Sequence, residues 1–324
     1  MTENDGLICA YCWQPDGAAE SIDWPGVEAV ARSGSPYWVH LDRTAEATRR
    51  WLAEESGLEP LVAEALLQEE TRPRMVTIGN GMLIILRGVN LNPGADPEDM
   101  VSIRMWVDAD RVISLRGKRL LAVEDVRGEI AAGHGPRSPG ELLCAIARAL
   151  VERMGPVLQD LEDGLDALEE RLMGQQRREM RTHLIGLRRQ GIILRRYIAP
   201  QRDVLTRLAT ERLPLLDDAL RNRLRETADR VTRYVEDLDA VRDRAAVVQE
   251  ELAATLSDQM NRTLYVLSLV GTVFLPLGFI TGLLGVNLGG IPGTENPVAF
   301  AVLCALLLAV AGFEVVLFYL RRWL

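Results

Sequence analysis

From Leu264 to Leu284 the chain carries no charged side chain, and a run of about 21 residues is long enough to cross a hydrocarbon core of ~30 Å as a helix. A second apolar run, Pro297 to Leu320, follows after Gly285-Val286-Asn287 and the short stretch Leu288 to Asn296. Two spans joined by about nine residues predict a tight hairpin, because so short a connection cannot hold a domain. Arg262 precedes the first span and Arg321 and Arg322 follow the second, while the connection has no Lys or Arg. The positive-inside rule therefore predicts both ends in the cytosol and the connection outside.

The rest of the 324 residues holds nearly all the charge and no other run of spanning length. It is expected to be a large cytosolic domain, and no cleaved signal peptide is expected at the start. Four cysteines, Cys9, Cys12, Cys144 and Cys304, are too scattered for a disulfide framework, which fits a reducing compartment. A net charge of −9 argues against a nucleic-acid partner and is compatible with gathering cations.

Taken in order, Leu7–Trp13 and Tyr37–Leu41 read as strands, rich in aromatic and β-branched residues. Residues 44–68 read as one or two helices broken at Gly57 and Pro60. Met75–Ile78, Met82–Leu91 and Val101–Val107 alternate, and Asp108-Ala109-Asp110 makes a hairpin turn into Val112–Leu115. A small sheet flanked by helices follows. From Leu120 onward helix dominates: Leu120–Ala132, a helix starting at Ser138-Pro139-Gly140-Glu141 and running to Met173, then Arg178–Thr210 with Pro200 as a kink. Between Leu215 and Val270 there is no Gly or Pro, and Leu238, Val241, Ala245, Val248, Leu252 and Leu256 form a helical stripe. One helix over Asp217–Leu284 would be roughly 100 Å long.

The fold class is thus an α+β membrane protein. Its expected divisions are a cytosolic αβ domain with a helical hairpin (1–213), the cytosolic part of a long stalk helix (214–262) and a first transmembrane helix (263–287). An external loop (288–296), a second transmembrane helix (297–320) and a cytosolic tail (321–324) complete it.

A second stripe on the long helix steps by fours and threes through Asp239, Asp243, Ala246, Glu250, Ala253, Ser257, Met260, Leu264, Leu267, Gly271, Leu275, Gly278 and Gly282. It passes from acidic through small and polar to aliphatic and glycine. Around a symmetry axis it would make an acid-lined funnel leading to a narrow apolar pore, where dewetting can gate. The alternatives are a solvated helix face, with the acids paired to Arg242 or Arg244, and glycines that serve close helix packing. Asn287, in turn, is either a pore-mouth residue or an ordinary helix-terminal turn residue.

Gly285-Val286-Asn287, followed by Leu288-Gly289-Gly290-Ile291-Pro292-Gly293, resembles the signature loop of the CorA-type divalent-cation transporters, usually Gly-Met-Asn. The valine form is similar to the zinc-transporting ZntB branch. Glu70-Thr71-Arg72-Pro73-Arg74, Arg195-Arg196-Tyr197-Ile198-Ala199-Pro200-Gln201-Arg202-Asp203, Glu211-Arg212-Leu213-Pro214, Phe274-Leu275-Pro276 and Phe279-Ile280-Thr281-Gly282 resemble that branch too, so the likeness covers nearly the whole chain. It implies a homopentamer in the inner (plasma) membrane, five first membrane helices around one axial pore, and Asn287 amides holding a hydrated cation at the outer mouth. It also implies that Gly278 replaces a pore threonine of many relatives. Glu295, the single acid of the external connection, is either a cation collector or a solvated loop residue.

Zinc finds little independent support in the residues. Tight zinc sites use clustered Cys, His and carboxylate, and the first span and the connection have no Cys or His. Cys9 and Cys12 would point to opposite faces of a strand, Cys304 reads as a small apolar residue, and His40, His134 and His183 read as structural. No first-shell metal site is assigned, so magnesium, cobalt or nickel transport stays open beside zinc. Glu314 lies in the second span, where a carboxylate is costly unless paired, protonated or near water. It is either snorkelling beside Arg321 or a proton-titrating group, the latter because the resemblance implies possible proton coupling. A membrane-tethered sensor or scaffold is the reading from a different class. No phosphate-cradling Gly-rich loop or catalytic triad supports an enzyme, and no cofactor is expected beyond the transported cation.

Overall fold

A computed structural model describes residues 5–69, 71–171, 177–285 and 296–320. The chain divides into two compact units, Met1–Gln249 and Glu250–Leu324, each taken by itself below.

The first unit opens with β1 (Leu7–Trp13), β2 (Ala19–Ile22), α1 (Trp24–Ser33) and β3 (Tyr37–Asp42). Helices α2 (Glu46–Glu54) and α3 (Pro60–Leu67) follow, then strands β4 (Arg74–Ile78), β5 (Gly81–Gly88), β6 (Val101–Val107) and β7 (Arg111–Arg116). These make one seven-stranded sheet in the order β2-β1-β3-β7-β6-β5-β4. The central β3–β7 pair is parallel, in register from Tyr37 opposite Arg111 to Asp42 opposite Arg116, and every other pairing is antiparallel. The Asp108 turn forms as expected: its Oδ1 accepts from the backbone N–H of Asp110 at 3.1 Å and of Arg111 at 2.9 Å.

Strand alternation divides the core between the two faces of the sheet. On one side Ala10, Cys12, Val39, Leu41 and Ile113 pack with α1–α3. On the other, Cys9, Trp38, Ile84, Ile103 and Val112 meet a helical layer. That layer holds α4 (Leu121–Ala131), α5 (Pro139–Glu152), α6 (Met154–Arg171) and α7 (Arg177–Thr210). Helix α8 (Asp218–Leu284) joins it through Leu224, Val231, Leu238, Val241 and Ala245, and α9 (Ala299–Leu320) ends the described chain. Ser138 caps α5 as its sequence predicts, accepting from the Glu141 N–H at 3.2 Å.

The structure departs from the expectations in two places. The helix expected from Ser138 to Met173 breaks between α5 and α6, because Pro156 has no N–H to give the Glu152 carbonyl. Strand β2 and helix α1 were not foreseen. Helix α7 has Pro200 inside it, as expected, and the proline deprives the Arg196 carbonyl of its usual intrahelical donor.

Three arginines fix the segment between α3 and β4. Arg43 Nη1 donates to the Leu67 carbonyl at 3.1 Å. Arg104 Nη2 donates to those of Gln68 and Glu69, at 2.7 and 3.0 Å. Arg87 Nε and Nη2 both donate to the Thr71 carbonyl, at 3.0 and 2.7 Å, while its Nη1 reaches Met100 O at 2.7 Å. Arg104 is buried at 2 % exposure. Burial first, then its neighbours Arg43 and Arg87, lower its pKa to about 10, so it stays charged at neutral pH.

Candidate functional site

Helix α8 is unbroken for 67 residues. Among the described residues its apolar end and α9 are the two helices long and apolar enough to cross a membrane, and neither is buried along its most apolar stretch. Leu264, Leu267 and Leu275 of the expected pore face are 53, 67 and 75 % exposed. A Cβ built on Gly271, Gly278 or Gly282 would meet nothing within 4 Å. Exposure is not confined to that face, since Val266, Phe274 and Phe279 are equally open. The whole circumference therefore awaits lipid, neighbouring chains or water.

Inside this stretch the threonine hydroxyls bond the helix's own carbonyls, as an apolar medium demands. Thr272 Oγ1 donates to Ser268 O at 2.8 Å, and Thr281 Oγ1 donates to Leu277 O at 2.9 Å. Pro276 leaves the Thr272 carbonyl without its helical N–H donor. The helix closes with the Gly285 N–H donating to Thr281 O at 2.9 Å. A Cβ on Gly285 would stand 2.9 Å from that same carbonyl oxygen. Val286, Asn287 and Glu295 lie outside the described residues.

The acidic part of the stripe is partly neutralised within the chain. Asp239 accepts two hydrogen bonds from Arg195 of α7, which holds its carboxyl below the usual range. Asp243 pairs with Arg242 at 2.9 Å. Arg244 turns instead to α6, reaching Asp166 at 2.5 Å and Glu169 at 2.6 Å. Glu250 and Ser257 are exposed, and among the described residues no cation pairs with Glu250. One acidic group was not singled out from the sequence. Burial, with Asp237 and Asp166 nearby, raises the Glu162 carboxyl, and burial beside Glu236 raises that of Asp237. The signal available was the density of acids between Asp160 and Glu170.

Glu314 is half-buried in α9, and its Oε2 has no hydrogen-bond partner among the described residues. Arg321, its expected neighbour, lies outside them. Cys9 and Cys12 fall into separate apolar clusters on opposite faces of the sheet, and burial pushes the Cys9 thiol up to about 12. His40 is fully buried, with Nδ1 2.8 Å from Ser114 Oγ. Burial, then Arg116 and Arg127, lowers its pKa to about 3, so it is a neutral core residue. Among the described residues no three His, Cys, Asp or Glu gather as metal ligands.

An αβ unit is thus followed along the chain by two helices of membrane length, the apolar end of α8 and α9. The family described as CorA-like Mg2+ transporter protein matches residues 33–322, and the chain belongs to it. The divalent cation transporter CmaX of Pseudomonas aeruginosa is 42 % identical over 289 residues, 89 % of this chain and 87 % of the relative. The zinc transport protein ZntB of Pectobacterium atrosepticum is 39 % identical over 310 residues, 96 % of this chain and 94 % of that one. The solved full-length CmaX structure superposes with a TM-score of 0.84 at 39 % identity, covering 98 % of both chains.

Proposed function

We propose that five copies of this chain assemble in the inner membrane, termini in the cytosol, and pass divalent cations through an axial pore lined by α8. The carrying observation is the continuity of α8, which bears Glu250 and Ser257 and then, without a break, the open positions at Gly271, Gly278 and Gly282. Asn287 would rim the outer mouth and Glu295 would draw cations toward it. At the inner end, Glu250 supplies most of the field, because Arg195 already offsets Asp239 and Arg242 offsets Asp243. Amide and backbone oxygens suit an ion that keeps most of its water.

Zinc is the preferred cargo, supported by the ZntB name of a relative at 39 % identity. The relative named a divalent cation transporter without a stated metal, at 42 %, favours a broader second reading that includes magnesium, cobalt and nickel. Purified protein in liposomes containing a zinc-sensitive dye, with and without a pH gradient and with magnesium as competitor, tests both. Zinc uptake that Asn287→Ala abolishes supports the pore. Uptake unchanged by Asn287→Ala overturns the proposed mouth, and zinc uptake suppressed by equimolar magnesium overturns the preference.

A further inference from the structure

Two of the sequence motifs, Thr71-Arg72-Pro73-Arg74 and Arg195 to Asp203, lie outside the membrane-length helices. In the first unit they come together. The Arg87 backbone N–H donates to Gln201 Oε1 at 2.7 Å, and the Arg87 guanidinium lies 4.1 Å above the Tyr197 ring while bonding the Thr71 carbonyl. The Arg196 guanidinium is 5.8 Å from the centre of the same ring. Between the motifs opens a cavity of about 590 Å³, lined by Thr71, Arg72, Arg87, Lys118, Arg196 and Tyr197, with Glu98 and Asp99 also on its wall.

The charge of this cavity runs against that of the chain. Among the described lining residues four cations stand with two carboxylates, in a protein whose net charge is −9. Arg72, Lys118 and Arg196 are exposed, and among the described residues no carboxylate lies within ion-pair distance of any of the three. Behind them Arg104 adds a buried charge that bonds only carbonyls. Two buried polar atoms are also unsatisfied among the described residues. Thr71, a lining residue 7 % exposed, has no partner for Oγ1, and the fully buried Gln201 has none for Nε2.

Arg72, Lys118 and Arg196, with no carboxylate partner among the described residues, beside buried polar atoms also unsatisfied there, form a site that an anion completes. Planar guanidiniums suit phosphoryl oxygens, which they bind two at a time. The volume exceeds what one phosphate fills and falls within the range of small-molecule pockets. We propose that this cavity binds a small molecule bearing a chain of two or more phosphates. Arg72, Lys118 and Arg196 hold the phosphoryl oxygens, Thr71 Oγ1 donates to one of them, and Glu98 and Asp99 accept from hydroxyl or amino groups on the remainder.

Titration calorimetry on the purified full-length protein in detergent tests this. Phosphate, pyrophosphate, AMP and ATP serve as probes in chelator-treated buffer, since polyphosphates bind divalent ions themselves. Pyrophosphate and ATP are expected to bind more tightly than phosphate, with ATP ahead if the carboxylates read a nucleoside and level with pyrophosphate if they do not. Arg72→Gln and Arg196→Gln should each weaken ATP about tenfold, and Lys118→Gln should weaken it as well. All three residues are exposed, so the thermal unfolding of the ligand-free protein should not move. Arg230→Gln, in a separate cavity lined also by Glu129 and Glu152, should leave affinity unchanged. Absence of binding by every probe overturns the site. So does phosphate binding as tight as pyrophosphate, or an affinity for ATP unaltered in the Arg72→Gln, Arg196→Gln double variant.

Discussion

Arg195 of α7 holds Asp239 of α8 in a two-pronged ion pair, Nε to Oδ1 at 2.5 Å and Nη2 to Oδ2 at 3.0 Å. The pair ties the αβ unit's last helical hairpin to the long helix. Its side chains are 41 and 33 % exposed, so water screens it and its coupling should be about 0.5–1 kcal/mol. A double-mutant cycle with Arg195→Gln and Asp239→Asn, read by unfolding in detergent, measures it. Arg195 lowers the Asp239 carboxyl pKa, so the stabilisation is present above the unfolded carboxylate value of about 4. It fades as pH falls through the lower folded value. Additive single-variant effects at neutral pH would show that the pair contributes nothing.

Space around the membrane glycines makes a prediction about conduction. Gly271→Leu adds a side chain where a Cβ meets nothing within 4 Å, so the chain should still fold. In the proposed pentamer, five leucines facing one conduit should slow cation flux at least ~10-fold, equivalent to about 1.4 kcal/mol on the barrier. Liposome uptake decides it, and a wild-type rate would place Gly271 away from the pathway.

Glu314 offers a test of proton coupling. Its Oε2 is buried without a hydrogen-bond donor among the described residues, in a helix where an ionised carboxylate is costly by several kcal/mol. Glu314→Gln keeps the shape and removes the titration. Zinc uptake at symmetric pH should persist while its response to a pH gradient disappears. A variant that keeps the full response would exclude this carboxyl from proton movement.

The start of α5 can be weighed separately. Ser138 Oγ caps the helix through the Glu141 N–H, and Glu141 Oε2 accepts in return from the Arg137 N–H at 2.8 Å. Ser138→Ala should cost about 1 kcal/mol, visible as a lower unfolding midpoint of the whole protein with no change in transport per folded molecule.

Features with a local cause were legible in the sequence. The charge-free run to Leu284, the Gly- and Pro-free stretch before it, the Asp108 turn and the Ser138 cap each act within a few residues, and each is present. Strand alternation alone placed Cys9 and Cys12 on opposite faces. Strand β2 escaped because Ala19-Glu20-Ser21-Ile22 is a short edge strand with no apolar face to betray it. The Arg195–Asp239 pair escaped for another reason. Its partners are 44 residues apart, and nothing in helical spacing tells a solvated acid from one met by another helix. The cavity between the two motifs was likewise invisible, since both motifs were noticed and only folding shows that they adjoin. For the pathway itself, periodicity marked a stripe that is open in the folded chain, but its outer end lies beyond the described residues.

The guanidinium clamp over residues 67–71 draws its donors from the end of β3 and from strands β5 and β6. Among the described residues its acceptors are the backbone carbonyls of Leu67, Gln68, Glu69 and Thr71, so these bonds depend on distant strands having come together. Backbone amides there should acquire protection from hydrogen exchange only once the sheet is complete. A protease that cuts there would be reporting an unfinished or reopened sheet, which makes this short connection a natural sentinel for the assembly state of the whole αβ unit.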